Sequence, residues 1–330
     1  MLLARLFSAV ALALVAASPR QDETGRAAAP VRPVAAAGAP TATSAGPCLV
    51  LRNRRDLVID GQSFGPCGTY GIVIAASERI TLRNVTVRDT GDMGIYILGS
   101  SAITVEGSRV SNALTGIYAQ SSERIRVHCN RVDDMRGPIP RGHFVQFNDV
   151  NGAGNVISCN RGRNRPGAGD PEDGISLYRS HGLPDAPIRV ERNLIVGGGP
   201  STSGGGIMLG DDGGSYLLAR RNVLVDPGQY GIAVASGHHM TILDNLIYAR
   251  PQVFTNVGIT VWNQYPSACH DISIRGNRVN WTSRLGVPTP YWDGENCGPV
   301  DGIPENEFAA AFGPEIEAQA LPDCGCEAFD

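Results

Sequence analysis

Five carboxylates crowd two short stretches of this 330-residue chain: Asp170-Pro-Glu172-Asp173 and Asp211-Asp212. Glycoside hydrolysis uses a pair of carboxyls, one protonating the leaving oxygen and the other acting as base or nucleophile. Crowding like charges raises one pKa and keeps an acid protonated near neutral pH. His143 adds an imidazole just upstream. The expected catalytic set is therefore Asp173, Asp170, Glu172, Asp211, Asp212 and His143. Gln146, Tyr178, Arg179, Trp262 and Tyr265 are the expected substrate contacts, through hydrogen bonds and through rings that stack on sugars. No cofactor is required for such chemistry, although the same acids would suit a Ca²⁺ site, and the plainest reading leaves them as solvated loop acids.

A second chemistry competes. Arg136, Arg141, Arg161, Arg163, Arg165 and Arg179 share this part of the chain. A uronate lyase needs cations to hold a carboxylate and a base for the α-proton. His143, Tyr178 or Arg179 would be that base. In the alternative, the arginines simply pair with nearby acids. His238-His239 has no third ligand at metal spacing, so no metal site is assigned. The Ser/Gly-rich stretch 200–206 lacks the Lys and helix of a phosphate cradle.

These residues need a scaffold that brings distant segments together, and the chain repeats. One phrase is a short β-branched strand ending in Asn, as in Ile80-Thr-Leu-Arg-Asn84, Ile125-Arg-Val-His-Cys-Asn130 and Ile188-Arg-Val-Glu-Arg-Asn193. The other is Gly-Ile followed by alternation, at Gly71, Gly94, Gly116, Gly174, Gly206, Gly231 and Gly258. Short strands recurring every 20 to 30 residues or so, with no room for crossover helices, indicate a β-solenoid. The expected fold is all-β: a single right-handed parallel β-helix of about eight coils, with a disulfide-tied C-terminal segment. Its expected extent is 48–281, followed by a cap or tail at 282–330.

The coils are not uniform. Insertions at 133–142, 161–173 and 197–205 enlarge three consecutive coils, and insertions in solenoids map to one face. Aligning the strands places Gln146, Ser176, Met208, Ala233 and Thr260 in one outward column. Asn148, Tyr178, Gly210, Ala235 and Trp262 form the next, and Asp149, Arg179, Asp211, Ser236 and Asn263 lie beyond. His143 and Asp173 fall side by side where loop meets strand.

Composition sets the compartment. Residues 1–18 read as a signal peptide with a 6–17 apolar run too short to span a bilayer, and 19–47 as an Ala/Pro-rich linker. The protein is expected to be secreted or periplasmic, with no membrane span. Eight cysteines in an exported chain imply disulfides. Cys129 and Cys159 precede the ladder Asn in consecutive coils and suit a bridge to each other. Cys48 and Cys67 would staple the first coil, and Cys269, Cys297, Cys324 and Cys326 the C-terminal segment. All 28 cations are arginine and the formal charge is −4, which gives no footprint for nucleic acid. The 41 glycines fit many tight corners.

The repeat phrases, with Gly142-His-Phe-Val-Gln-Phe147, Pro171-Glu-Asp-Gly174 and the stretch 197–211, resemble the pectin-lyase-like right-handed parallel β-helix proteins. Within them they look like a bacterial subgroup of undetermined reaction. The resemblance implies an extracytoplasmic protein that acts on or binds a polysaccharide or oligosaccharide on the outer face of the helix. Hydrolases, lyases, epimerases and non-catalytic glycan-binding or envelope proteins share that scaffold. The Asp-Pro-His-Asp stretch of alginate epimerases is missing, and no catalytic residue carries over.

Overall fold

The computed structural model describes residues 45–320 and 324–326. The expected signal peptide lies outside them, as does the expected linker up to residue 44. A typical coil supplies three short strands. In one compact coil these are Met93–Leu98, Ser101–Glu106 and Arg109–Ser111. Every strand pairs in parallel with its counterpart one coil away, for example Ile95↔Ile117, Ile103↔Ile125 and Val110↔Val132. The third ladder holds nine strands. Pairing continues past 281: Tyr291–Asp293 and Val300–Asp301 join the first two ladders. That last turn has no Gly-Ile phrase, so the repeat hides it. No helix among the described residues is long and apolar enough to cross a membrane.

Period-two alternation sends one set of side chains into the bore. Ile72, Ile95, Ile117, Val145, Ile175, Ile207, Ile232 and Ile259 stack in register and are buried. Each such burial is worth about 1.5–3 kcal/mol. A polar ladder runs beside them. Asn130 opens it, and Asn160, Asn193, Asn222, Asn245, Asn277 and Asn306 each present Oδ1 to the Nδ2 of the Asn before, at 2.8–3.0 Å. Every Nδ2 in the bore from Asn130 to Asn277 also donates to a strand carbonyl, so these buried amides are satisfied.

Up to Asn277, the residue ahead of each ladder position is left-handed: Asn84, Gly107, Cys129, Cys159, Arg192, Arg221, Asp244 and Gly276 (φ 53–63°). Val85, not Asn84, therefore takes the ladder slot in that coil, and its N–H donates to Ser108 Oγ at 3.1 Å. The same turn corrects a disulfide. The expected Cys129–Cys159 bridge does not form, because both side chains leave the coil outward and parallel rather than toward each other. They meet the returning tail instead: Cys129 bonds Cys326 and Cys159 bonds Cys324. The Cys-Gly-Cys spacing offers one sulfur to each of two coils. Cys48–Cys67 and Cys269–Cys297 close the two ends. Upstream of those cysteines the 3₁₀ turn Pro314–Gln319 buries Ile316 against Leu194, Val223 and Val225 on the outside of the third ladder.

The three enlargements leave the coil at one bend, between third and first strands. They lie between Arg131–Asp133 and Val145–Asn148, between Arg161–Arg163 and Ile175–His181, and between Leu194–Val196 and Ile207–Arg220. All three therefore stand beside the first ladder.

Candidate active site

Because Val145, Ile175, Ile207 and Ile232 are in register, the residues two places earlier stack as well: His143, Asp173, Gly205 and Tyr230. His143 and Asp173 are neighbours as expected, with Nε2 3.9 Å from Oδ2. Asp173 Oδ1 accepts the Tyr230 hydroxyl and, at 3.0 Å, the Gly205 N–H. Gly205 makes this reach possible: a Cβ there would stand 2.7 Å from the Tyr230 ring. All three side chains are buried. Burial pushes the Asp173 carboxyl well up, and the Glu172 charge pushes it further. Burial also holds the Tyr230 hydroxyl far up, so it remains a donor. His143 is driven down to about 3 by burial and by the Arg141 charge, and its Nδ1 is buried without a hydrogen-bond partner. It stands enclosed and neutral beside Asp173.

Glu172 stands at the edge of this cluster, partly exposed. The Ser203 hydroxyl donates to its carboxylate, at 3.1 Å from Oε1. Burial raises Glu172 to about 7, Ser203 opposes that, and the charges of Asp211 and Asp170 add to it. Asp211 Oδ1 accepts the Tyr265 hydroxyl at 2.6 Å. The strand Ile207–Arg220 bulges at left-handed Gly210 (φ 68°), so Asp211 rather than Gly210 lies opposite Tyr178. The bulge turns this acid toward Tyr265. Asp170 is exposed and reaches the site only through its charge.

Asp212 accepts Arg179 Nε at 2.8 Å and the Tyr178 hydroxyl at 3.1 Å, and Arg179 lies over the Tyr178 ring. Burial and the Asp212 charge push Tyr178 up to about 12. Gln146, Ser176, Met208, Ala233 and Thr260 share a column as expected. Much of it is no open platform: Gln146, Ser176, Met208 and Ala233 are buried, with Gln146 Oε1 and Ser176 Oγ unpartnered. Tyr265 and Trp292 pack over Met208, Tyr230 and Ala233. Trp262 meets Trp292 edge to face at 6.2 Å. The other five arginines have partners of their own: Arg136 the Thr90 carbonyl, Arg141 Asp92, Arg161 and Arg163 Glu317, Arg165 Asp134. Among the described residues, groups of His, Cys and acid tight enough to share a metal all draw on disulfide sulfurs.

The model of the right-handed β-helix region matches residues 42–215. The chain belongs to the right-handed β-helix family. No curated protein sequence matches it. Among solved structures, it is similar to the catalytic domain of a GH87 α-1,3-glucanase in complex with tetrasaccharides, at 12% identity and TM-score 0.41, covering 77% of this chain and 50% of that one. The DFA-IIIase of Arthrobacter chlorophenolicus, at 14% identity and TM-score 0.35, matches 72% of this chain and 54% of its own. A thermostable GH87 α-1,3-glucanase of Streptomyces thermodiastaticus, at 14% and 0.38, matches 75% and 52%. The chain spans about half the length of each.

Three residues of this β-helix protein's site escaped the sequence reading: Tyr230, Gly205 and Ser203. The signal for two of them was present. Asp173, Gly205 and Tyr230 each precede the Gly-Ile phrase of their own coil, at Gly174, Gly206 and Gly231. Reading that column would have placed a tyrosine over a glycine next to an acid. Ser203 lies in an insertion, where no register exists to read.

Proposed function

We propose that this β-helix protein is an exported glycoside hydrolase acting at the rim of the enlarged coils. The carrying observation is Glu172: a carboxyl raised to about 7, bonded by a neutral hydroxyl, beside a second carboxyl. At neutral pH and below it holds a proton for the leaving glycosidic oxygen. Asp211, oriented by Tyr265, acts on the anomeric carbon as nucleophile or by taking a proton from water. Asp173 is too enclosed to touch the sugar, so its role is positioning: with Tyr230 and Gly205 it fixes the strand start that carries Glu172. The four disulfides fit an oxidising compartment.

The lyase alternative loses support from the same geometry. His143 is enclosed, Tyr178 holds its proton to about 12, and Arg179 is paired with Asp212. Product analysis over a polysaccharide and oligosaccharide panel tests the reading. Hydrolysis yields new reducing ends without an unsaturated, ultraviolet-absorbing sugar, and Glu172→Gln loses them. Unsaturated products would replace the reading with β-elimination. Binding without turnover across the panel would replace it with a glycan-binding role.

A further inference from the structure

The two bridges that fasten the tail lie within reach of each other. Cys129 and Cys159 hold the same place in consecutive coils, each just past a second-ladder strand, Glu123–His128 or Val156–Ser158. Cys326 is common to both. Its sulfur lies within 4.8 Å of the Cys159 and Cys324 sulfurs, and within 4.8 Å of the Cys129 sulfur and a His128 ring nitrogen. Cys324 and Cys326 are half-buried, whereas Cys129 and Cys159 are buried. An incoming thiolate therefore meets the tail sulfurs first, and the coil sulfurs are the leaving groups.

The two leaving groups differ. His128 Nε2 lies 3.1 Å from Cys129 Sγ, and Nδ1 lies 2.9 Å from Ser158 Oγ. Burial and the Arg126 charge push His128 down, so the ring carries a single proton at neutral pH. When the Ser158 hydroxyl donates to Nδ1, that proton sits on Nε2 and points at Cys129 Sγ. The residue before Cys159 is Ser158, so no imidazole holds the corresponding place one coil on.

We propose that Cys129 and Cys326 form a redox-active pair that exchanges with external dithiols, with His128 as its acid and base and Cys159–Cys324 as the anchor. A thiolate of the dithiol attacks Cys326 Sγ and breaks the Cys129–Cys326 bond. Cys129 leaves with the electron pair and takes the Nε2 proton. The second sulfur of the dithiol attacks the first, closes a disulfide within the dithiol and releases Cys326. The proton lost when the first thiol ionised restores His128, and the proton of the second thiol passes to Cys326. Two electrons have then moved from the dithiol to the pair. The anchor, two residues away in the tail, keeps Cys326 beside Cys129, and a small disulfide reverses each step.

Limited reduction of the folded full chain with dithiothreitol, followed by alkylation and peptide mass spectrometry, tests this without any glycan. Cys129 and Cys326 should be alkylated first, with the other three bridges still closed, and oxidised glutathione should restore the bond. His128→Ala should slow the opening about tenfold or more, with circular dichroism unchanged. The order of opening is read on wild type and depends on no variant. Another bridge opening first, or all four opening together, would overturn the proposal. Equal opening rates in wild type and folded His128→Ala would overturn the role of His128.

Discussion

The compact coils and the enlarged coils use the same acids to opposite effect. On the compact coils, Asp56 and Asp60 face Arg79 and Arg83 of the next coil, at 2.6 and 2.8 Å. Those guanidinium hydrogen bonds hold both carboxyls below their usual range. On the enlarged coils, Asp173 faces a glycine and a tyrosine, and Glu172 a serine. Among the described residues no guanidinium hydrogen-bonds them, and burial raises both carboxyls. Acid density does not distinguish the two regions. The counter-ion does: Asp56 and Asp60 each face a guanidinium one coil on, whereas Asp173 and Glu172 accept from an amide and hydroxyls.

That contrast can be attacked from both sides. Glu172→Gln should have the largest effect, lowering turnover by about 10²–10⁴-fold with the fold intact, since it removes a proton donor; steady-state rates and circular dichroism check it. Next comes the tail. Replacing Cys324 and Cys326 by Ser opens loops of 165 and 197 residues and should cost on the order of 4 kcal/mol in denaturant unfolding.

Tyr230→Phe removes one of the two donors to buried Asp173. It should destabilise by about 1–3 kcal/mol and shift the alkaline limb of the pH–rate profile, which a purely structural role would leave in place. The pH dependence of stability has a definite sign. Glu172 binds more protons folded than unfolded between its ordinary 4.5 and about 7. Its contribution is therefore lost as pH rises through that window. Relative to Glu172→Gln, wild type should lose on the order of 3 kcal/mol across it, measured by urea unfolding at each pH. The smallest effect belongs to the compact coils: Asp56→Asn or Arg79→Ala should leave activity unchanged and the melting temperature barely moved, as for exposed ion pairs.

The fold was legible because its causes are local. Alternation, the Gly before each first strand and the Asn of each ladder recur within one coil, and they place the Gln146 column and the His143–Asp173 contact correctly. What stayed hidden depends on breaks in that regularity. The bulge at Gly210 moved Asp211 opposite Tyr178. Left-handed Cys129 and Cys159 sent their sulfurs to a tail more than 160 residues away. A single left-handed residue reverses the facing of its neighbours, and only the backbone reveals it.

Titration of side-chain carboxyl carbons by ¹³C NMR tests the central contrast most directly, with Glu172→Gln used to assign the resonance. Glu172 should titrate near 7, while Asp56 titrates below its ordinary 3.8. Glu172 titrating at its ordinary 4.5 would contradict the account.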